Sequence, residues 1–94
     1  MAAYVIGEIE VTDAGVYDDY RKQVLATIEK YAGRFLARGG KAEALEGAAP
    51  KRMVVLEFPS YEQALKWYRS AEYAPLIKLR QKASRGRLLV VEGA

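Results

Sequence analysis

The predicted elements along the 94-residue chain follow the order β-α-β-β-α-β, which predicts an α+β fold of the ferredoxin-like type with one four-stranded antiparallel sheet. Three observations carry this prediction. An alternating strand pattern is followed by an amphipathic helix, and residues 52–68 are typical of a strand that stops at Pro59 and leads into a capped helix. The length suits one domain, so we expect residues 1–94 to fold as a single unit.

The first half of the chain begins with residues 4–11, whose side chains alternate as in a β-strand, and Thr12-Asp13 then offers a helix N-cap. Apolar side chains next recur at helical spacing. They are Tyr17, Tyr20, Val24, Ile28 and Tyr31. Gly33 is well placed to end this helix. Residues 34–45 are predicted to be extended, with a bulge or bend at Gly39-Gly40.

The second half of the chain contains a turn at residues 46–50 and a strand at residues 51–58, which is rich in Val and Leu and therefore expected at the centre of the sheet. Ser60 and Gln63 form a capping-box pattern for the second helix. A further helical segment has Pro75 near its first turn and ends at residues 84–86. The last predicted strand covers residues 88–92.

Both faces of the predicted strands are apolar, with Ile6 beside Val5 and Leu89 beside Leu88. A sheet that is covered on one face only should alternate more clearly between apolar and polar residues. We therefore expect a second copy of the chain to cover the helix-free face, which makes a homodimer with two sheets face to face.

The composition excludes several classes of function. The chain has no Cys and no His, which argues against disulfides, a haem ligand, the common transition-metal sites and Ser-His or Cys-His nucleophiles, so no cofactor is expected. The apolar runs are too short to span a membrane and no signal peptide is visible, so we expect a cytoplasmic protein. Five basic residues between Glu72 and Glu92 are more typical of a solvated surface than of a nucleic-acid site, so we do not expect nucleic acid as a partner.

Several segments resemble a family of dimeric α+β barrel proteins, the domain of unknown function thirteen-thirty. These segments are Tyr17-Asp18-Asp19-Tyr20, residues 35–40, Glu57-Phe58-Pro59-Ser60, residues 67–73 and Val91-Glu92-Gly93. The resemblance runs from about Tyr4 to Gly93. It implies a homodimer and a cleft between sheet and helices, and it implies no particular activity.

Glu57 is the candidate acid or base, because it lies in an otherwise apolar strand, where burial would raise the pKa of a carboxyl group. By alternation it shares a face with Met53 and Val55, and we expect that face to line the interior. The alternative is that Glu57 forms an ion pair with an arginine, as buried charges usually do. No reaction follows from the sequence, so whether the protein is an enzyme stays open.

Arg52 and Arg80 are the candidate anion-binding residues, and the alternative for Arg80 is an ion pair with Glu57 or Glu92. The candidate pocket walls are aromatic: Tyr20, Trp67, Tyr68 and Tyr73. The sequence therefore favours two hypotheses. The first is a binding protein or cofactor-independent enzyme for a small acidic or aromatic molecule, and the second is a structural or regulatory dimer without catalysis.

Overall fold

The computed structural model describes residues 1–94 and contains four strands and three helices. The elements are β1 (Ala3–Val11), α1 (Ala14–Lys30), β2 (Arg34–Arg38), β3 (Arg52–Phe58), α2 (Tyr61–Tyr68), α3 (Ala74–Ala83) and β4 (Ser84–Glu92). The strands form one antiparallel sheet in the order β2-β3-β1-β4. This is the predicted ferredoxin-like α+β fold, and β3 is central as expected, with β1 as the other central strand.

Local side-chain contacts fix where the first two helices begin. The Asp13 carboxylate accepts a hydrogen bond from the Val16 backbone N–H (3.1 Å), and the Ser60 hydroxyl accepts one from the Gln63 N–H (3.1 Å). The reciprocal half of the predicted capping box does not form, because the Gln63 side chain donates to the Tyr31 carbonyl (3.0 Å) instead. That hydrogen bond joins the start of α2 to the end of α1.

All three helices pack on one face of the sheet, and the hydrophobic core lies between them. The largest fully buried side chains are Trp67, Tyr73, Phe58 and Ile28. Trp67 stacks on Tyr73 with ring centroids 4.1 Å apart and lies 5.3 Å from Phe58. Buried aromatic contacts therefore connect α2, the residue before α3 and the end of β3.

Two predicted strand boundaries are wrong, and the left-handed residue that ends α1 is Ala32 (φ 65°) rather than Gly33. The strand expected over residues 34–45 ends at Arg38, because Gly39 adopts a positive φ of 73° and the chain then leaves the sheet. The last strand begins at Ser84 rather than at residue 88, because Val11 of β1 pairs with Ser84. Gly86 permits this pairing: its φ is 146°, and a Cβ atom there would overlap the carbonyl oxygen of Glu8.

The helix-free face of the sheet carries exposed apolar side chains between ion pairs. Leu89 and Val91 are 46% and 48% exposed, and Ile6 lies between Val55 and Leu89 in the register. Three ion pairs lie on the same face: Arg87–Glu8 (3.1 Å), Arg85–Glu10 (3.3 Å) and Arg34–Glu57 (2.7 Å). The basic residues of β4 are thus paired with acids of β1. None of the three helices has the length and hydropathy needed to cross a membrane.

Candidate functional site

A cavity lies between the helices and the sheet, and all four strands and all three helices contribute to its wall. Its lining is mostly apolar and aromatic, with four arginines and no carboxylate. The arginines are Arg21 of α1, Arg38 of β2, Arg52 of β3 and Arg80 of α3. A guanidinium stays protonated in proteins, so this wall carries a permanent positive charge.

Arg80 is the most unusual of these residues. It is only 9% exposed, it forms no ion pair, and its Nε–H has no hydrogen-bond partner. The ion pair with Glu57 or Glu92 that the sequence left open is not formed. Buried charges are normally paired, and an unpaired one is costly. Arg80 therefore has unused hydrogen-bonding capacity inside the protein.

Arg52 is the second arginine whose buried Nε–H lacks a partner. Its guanidinium lies 5.5 Å from the centre of the Tyr17 ring, in cation–π range, and packs directly against Gly39. A Cβ atom at position 39 would overlap that guanidinium. The Gly-Gly segment thus has a role beyond ending β2, since it leaves room for Arg52 beside the cavity.

Arg38 and Arg21 lie at the rim, where α1 meets the end of β2. Arg38 donates to the Arg21 carbonyl (2.9 Å, at the surface), and its guanidinium lies 4.2 Å from the centre of the Phe35 ring. A bulge at Leu36 interrupts the pairing of β2 with β3, so that Phe35 pairs with Leu56 and Arg38 with Val54. The bulge puts Arg38 on the helix-facing side of the sheet.

Two buried tyrosine hydroxyls face each other next to Arg80. Tyr20 Oη and Tyr73 Oη are 2.7 Å apart. Burial, together with the neighbouring Tyr73 hydroxyl, raises the pKa of Tyr20 far above its usual value, and burial also raises the pKa of Tyr73. Both hydroxyls therefore stay protonated. One O–H serves the bond between them, and the other remains available to donate to a further acceptor.

One end of the cavity is polar and the other is apolar. Arg80 lies one turn before the end of α3, where the Ala83 carbonyl accepts hydrogen bonds from Thr12 and Asp13 at the junction of β1 and α1. Arg52 pairs with Ile9, near the same end of β1. The opposite end is formed by Val24, Ile28, Leu56 and Trp67, since Leu56 pairs with Val5 near the start of β1 and Trp67 lies against Phe58. The indole N–H of Trp67 is already bound to the Thr27 hydroxyl (3.0 Å), so this end offers no free polar group.

The free space in the cavity is about 30 Å³, enough for about two water molecules. A larger groove of about 270 Å³ runs along α2 and β4 and is lined by Leu65, Tyr68 and Leu89, among others. Arg69 is its only charged residue. The deep cavity is smaller, but it holds the unsatisfied donors, and it is therefore the stronger candidate site.

Five of the residues that the sequence nominated converge on this cavity: Tyr20, Arg52, Trp67, Tyr73 and Arg80. Tyr68 lies in the groove on the other side of Trp67. Glu57 lies on the helix-free face of the sheet, opposite Tyr4 in the register, and is bound to Arg34 (Nε–Oε1 2.7 Å). The arrangement at Glu57 is the ion pair that the sequence offered as its alternative role.

The sequence analysis did not nominate Tyr17, Arg21, Phe35 or Arg38, which also line the cavity. Tyr17 was assigned to the buried face of α1, which is where it lies. Arg38 could not be found by strand alternation, because the bulge at Leu36 changes which residues share a face.

Known proteins resemble this chain both in sequence and in fold. The family model of a domain of unknown function (DUF1330) matches residues 2–94. A protein of unknown function from Rhodopseudomonas palustris has a similar structure, with a TM-score of 0.78, 18% identity and coverage of 99% of this chain and 82% of that one. No curated protein matches.

Two further solved structures are similar over nearly the whole chain. SnoaB, a cofactor-independent oxygenase from Streptomyces nogalater, has a TM-score of 0.69 and 8% identity, with coverage of 99% and 93%. A dimeric protein of unknown function with a ferredoxin-like fold from Bacteroides fragilis has a TM-score of 0.61 and 9% identity, with coverage of 98% and 95%. At these identities the similarity shows the fold alone. The family match covers nearly all of the chain, and this protein belongs to the DUF1330 family.

Proposed function

We propose that this protein binds a small carboxylate in the cavity between the sheet and the helices. The observation that carries the proposal is the buried guanidinium of Arg80, which has no counter-charge and an unpaired Nε–H. An anion seated there supplies both the missing charge and the missing acceptor.

The surrounding groups favour a carboxylate over a cation or a neutral molecule. Arg80 and Arg52 each have an unpaired Nε–H, and the edge of a guanidinium that includes Nε can bind a carboxylate through two parallel hydrogen bonds. The Tyr20–Tyr73 hydroxyl pair supplies a further donor. No carboxylate lines the cavity to compete for these donors or to attract a cation.

The geometry supports binding more directly than catalysis. The cavity wall contains no carboxylate or imidazole that could accept a proton near neutral pH, and Glu57 lies outside it, paired with Arg34. SnoaB, which has the same fold, is a cofactor-independent oxygenase. A reaction in this cavity would therefore have to depend on the bound molecule and on donors such as Arg80 rather than on a protein base.

Thermal unfolding tests the proposal. Acetate and benzoate, compared with acetamide and benzyl alcohol at constant ionic strength, should raise the melting temperature of the wild type. A ligand at 100 times its Kd should stabilise the fold by about 2.7 kcal/mol. Arg80→Gln should abolish the effect, and Lys82→Gln, at an exposed position on the same helix, should retain it. The proposal fails if no carboxylate stabilises the wild type, or if Arg80→Gln responds equally.

We also propose that two copies of the chain associate through the helix-free face of the sheet. The support is the apolar strip of Ile6, Val55 and Leu89, bordered by side chains that are already paired, such as Arg87 with Glu8. Apolar surface flanked by neutralised charge suits a self-complementary twofold interface. The dimeric ferredoxin-like protein from Bacteroides fragilis agrees with this proposal. A dimer of this kind leaves the cavity on the outside of each sheet.

A further inference from the structure

One end of the cavity is lined by arginines and the other is apolar. This difference in polarity indicates which class of carboxylic acid fits. We infer that the ligand is an amphipathic monocarboxylate, with its head group at the four arginines and an alkyl or aryl tail directed towards Ile28 and Trp67. The inference rests on the proposed function and specifies the ligand class.

The head-group end is defined by contacts on several elements. Arg52 lies against Tyr17 and Gly39, and Arg38 is bound to the carbonyl of Arg21 at the rim. The side chain of Arg21 is 44% exposed and forms a long ion pair with Asp18 at the surface (3.8 Å). A carboxylate at this end stays close to the rim and close to water, which lowers the cost of removing its hydration.

The tail end is buried and apolar. Ile28 and Trp67 are almost completely buried, and the only polar group there, the Trp67 N–H, is bound to Thr27. An alkyl or aryl tail finds apolar walls and the stacked Trp67–Tyr73 pair. A second carboxylate at this end would be buried without a donor, and a buried unpaired charge is strongly unfavourable.

The free space of about 30 Å³ means that the cavity must widen around such a ligand. The contacts that close it at the surface are those of Arg38, which hydrogen-bonds to Arg21 and packs on Phe35. Both arginines reach solvent at the rim, so their side chains can move outwards without opening the core. This rim is the route by which the tail would enter.

A chain-length series tests the inference. We expect affinity to rise about two- to fourfold per methylene from acetate through butanoate to hexanoate, since each buried methylene adds apolar area. Hexanol and adipate are matched to hexanoate in length. Each should bind about tenfold or more weakly, hexanol for lack of a charge and adipate because its second charge is unpaired. 3-Phenylpropanoate distinguishes an aryl from an alkyl tail.

Variants at Val24, which lines the cavity, test whether the tail binds at this position. Val24→Ala should extend the series towards longer acids, and Val24→Ile should shorten it. Val16→Ala is the matched control, because Val16 packs against the core without lining the cavity.

The inference fails if hexanoate binds no more tightly than acetate, or if adipate binds as tightly as hexanoate. If either result is found while acetate binding still depends on Arg80, the inference about the tail is wrong and the proposed carboxylate site is retained. If no carboxylate binds the wild type, both the site and the inference fail.

Discussion

Arg80 carries a permanent charge inside the protein with no counter-charge beside it. Such a residue weakens the fold, so we expect Arg80→Met, which keeps most of the apolar stem, to stabilise the ligand-free protein by about 1 kcal/mol or more. Urea unfolding measures the change. Lys82→Met, at an exposed position on the same helix, should change stability little. A marked loss of stability in Arg80→Met would mean that Arg80 has a structural partner.

Glu72 gives a prediction about pH. Hydrogen bonds from Lys30 and Tyr31 lower the pKa of the Glu72 carboxyl from 4.5 to about 2. A carboxyl group with a depressed pKa contributes stability that is present above its unfolded-state pKa and is lost as the pH falls through its folded-state pKa. Glu72→Gln should therefore be less stable than the wild type at pH 7, and the difference should disappear as the pH falls from about 4.5 to 2.

Melting temperatures across this pH range test the role of Glu72. Glu43→Gln is the matched control, because Glu43 is an exposed loop residue with no ion pair. An equal difference between wild type and Glu72→Gln at pH 7 and pH 2 would contradict the account of the Lys30–Glu72–Tyr31 contact.

The residues of the site were partly predictable, for physical reasons that differ between them. Helical spacing placed Tyr20 on the buried face of α1. Trp67 and Tyr68 are adjacent on a helix and point about 100° apart, so only one could face the cavity. The spacing alone did not say which one, and the structure selects Trp67. Strand alternation put Glu57 on the face opposite Leu56, and that face was expected to line the interior. The cavity lies instead on the Leu56 face of the sheet.

At the scale of the elements, the pairing of β1 with β4 depends on Gly86. Its φ of 146° and its close approach to the Glu8 carbonyl exclude a side chain. Gly86→Ala should therefore destabilise the protein by about 2 kcal/mol or more in urea unfolding. Gly40→Ala is the control, since a Cβ atom there meets nothing within 4 Å. Equal effects of the two substitutions would show that β4 tolerates a different path.

Elements with a strong local signal were predicted well. Alternation defined β1, and the apolar period with its Asp13 cap defined α1. The region after β2 was not predictable, because its conformation depends on distant residues. The bulge at Leu36 is set by pairing with β3, and Gly39 turns the chain where the Arg52 guanidinium needs space. Neither contact leaves a periodic pattern in the sequence.

At the scale of the whole molecule, the helix-free face predicts the oligomeric state. We expect a dimer at micromolar concentration by light scattering, and we expect Leu89→Lys to be monomeric because it places a charge in the apolar strip. Leu45→Lys, at a loop position that is 88% exposed, should remain dimeric. The Leu89→Lys monomer should still be stabilised by carboxylates, since the cavity lies on the other face of the sheet. A monomeric wild type would contradict the interface.

The central claim is that a carboxylate occupies the space beside the unpaired Nε–H groups of Arg52 and Arg80. The most direct measurement follows the arginine Nε–Hε signals by NMR while hexanoate is titrated into the labelled protein. We predict saturable shifts of the Arg52 and Arg80 signals, while that of exposed Arg69 stays constant. Unchanged Arg52 and Arg80 signals at saturating hexanoate, or equal shifts at all arginines, would contradict the account.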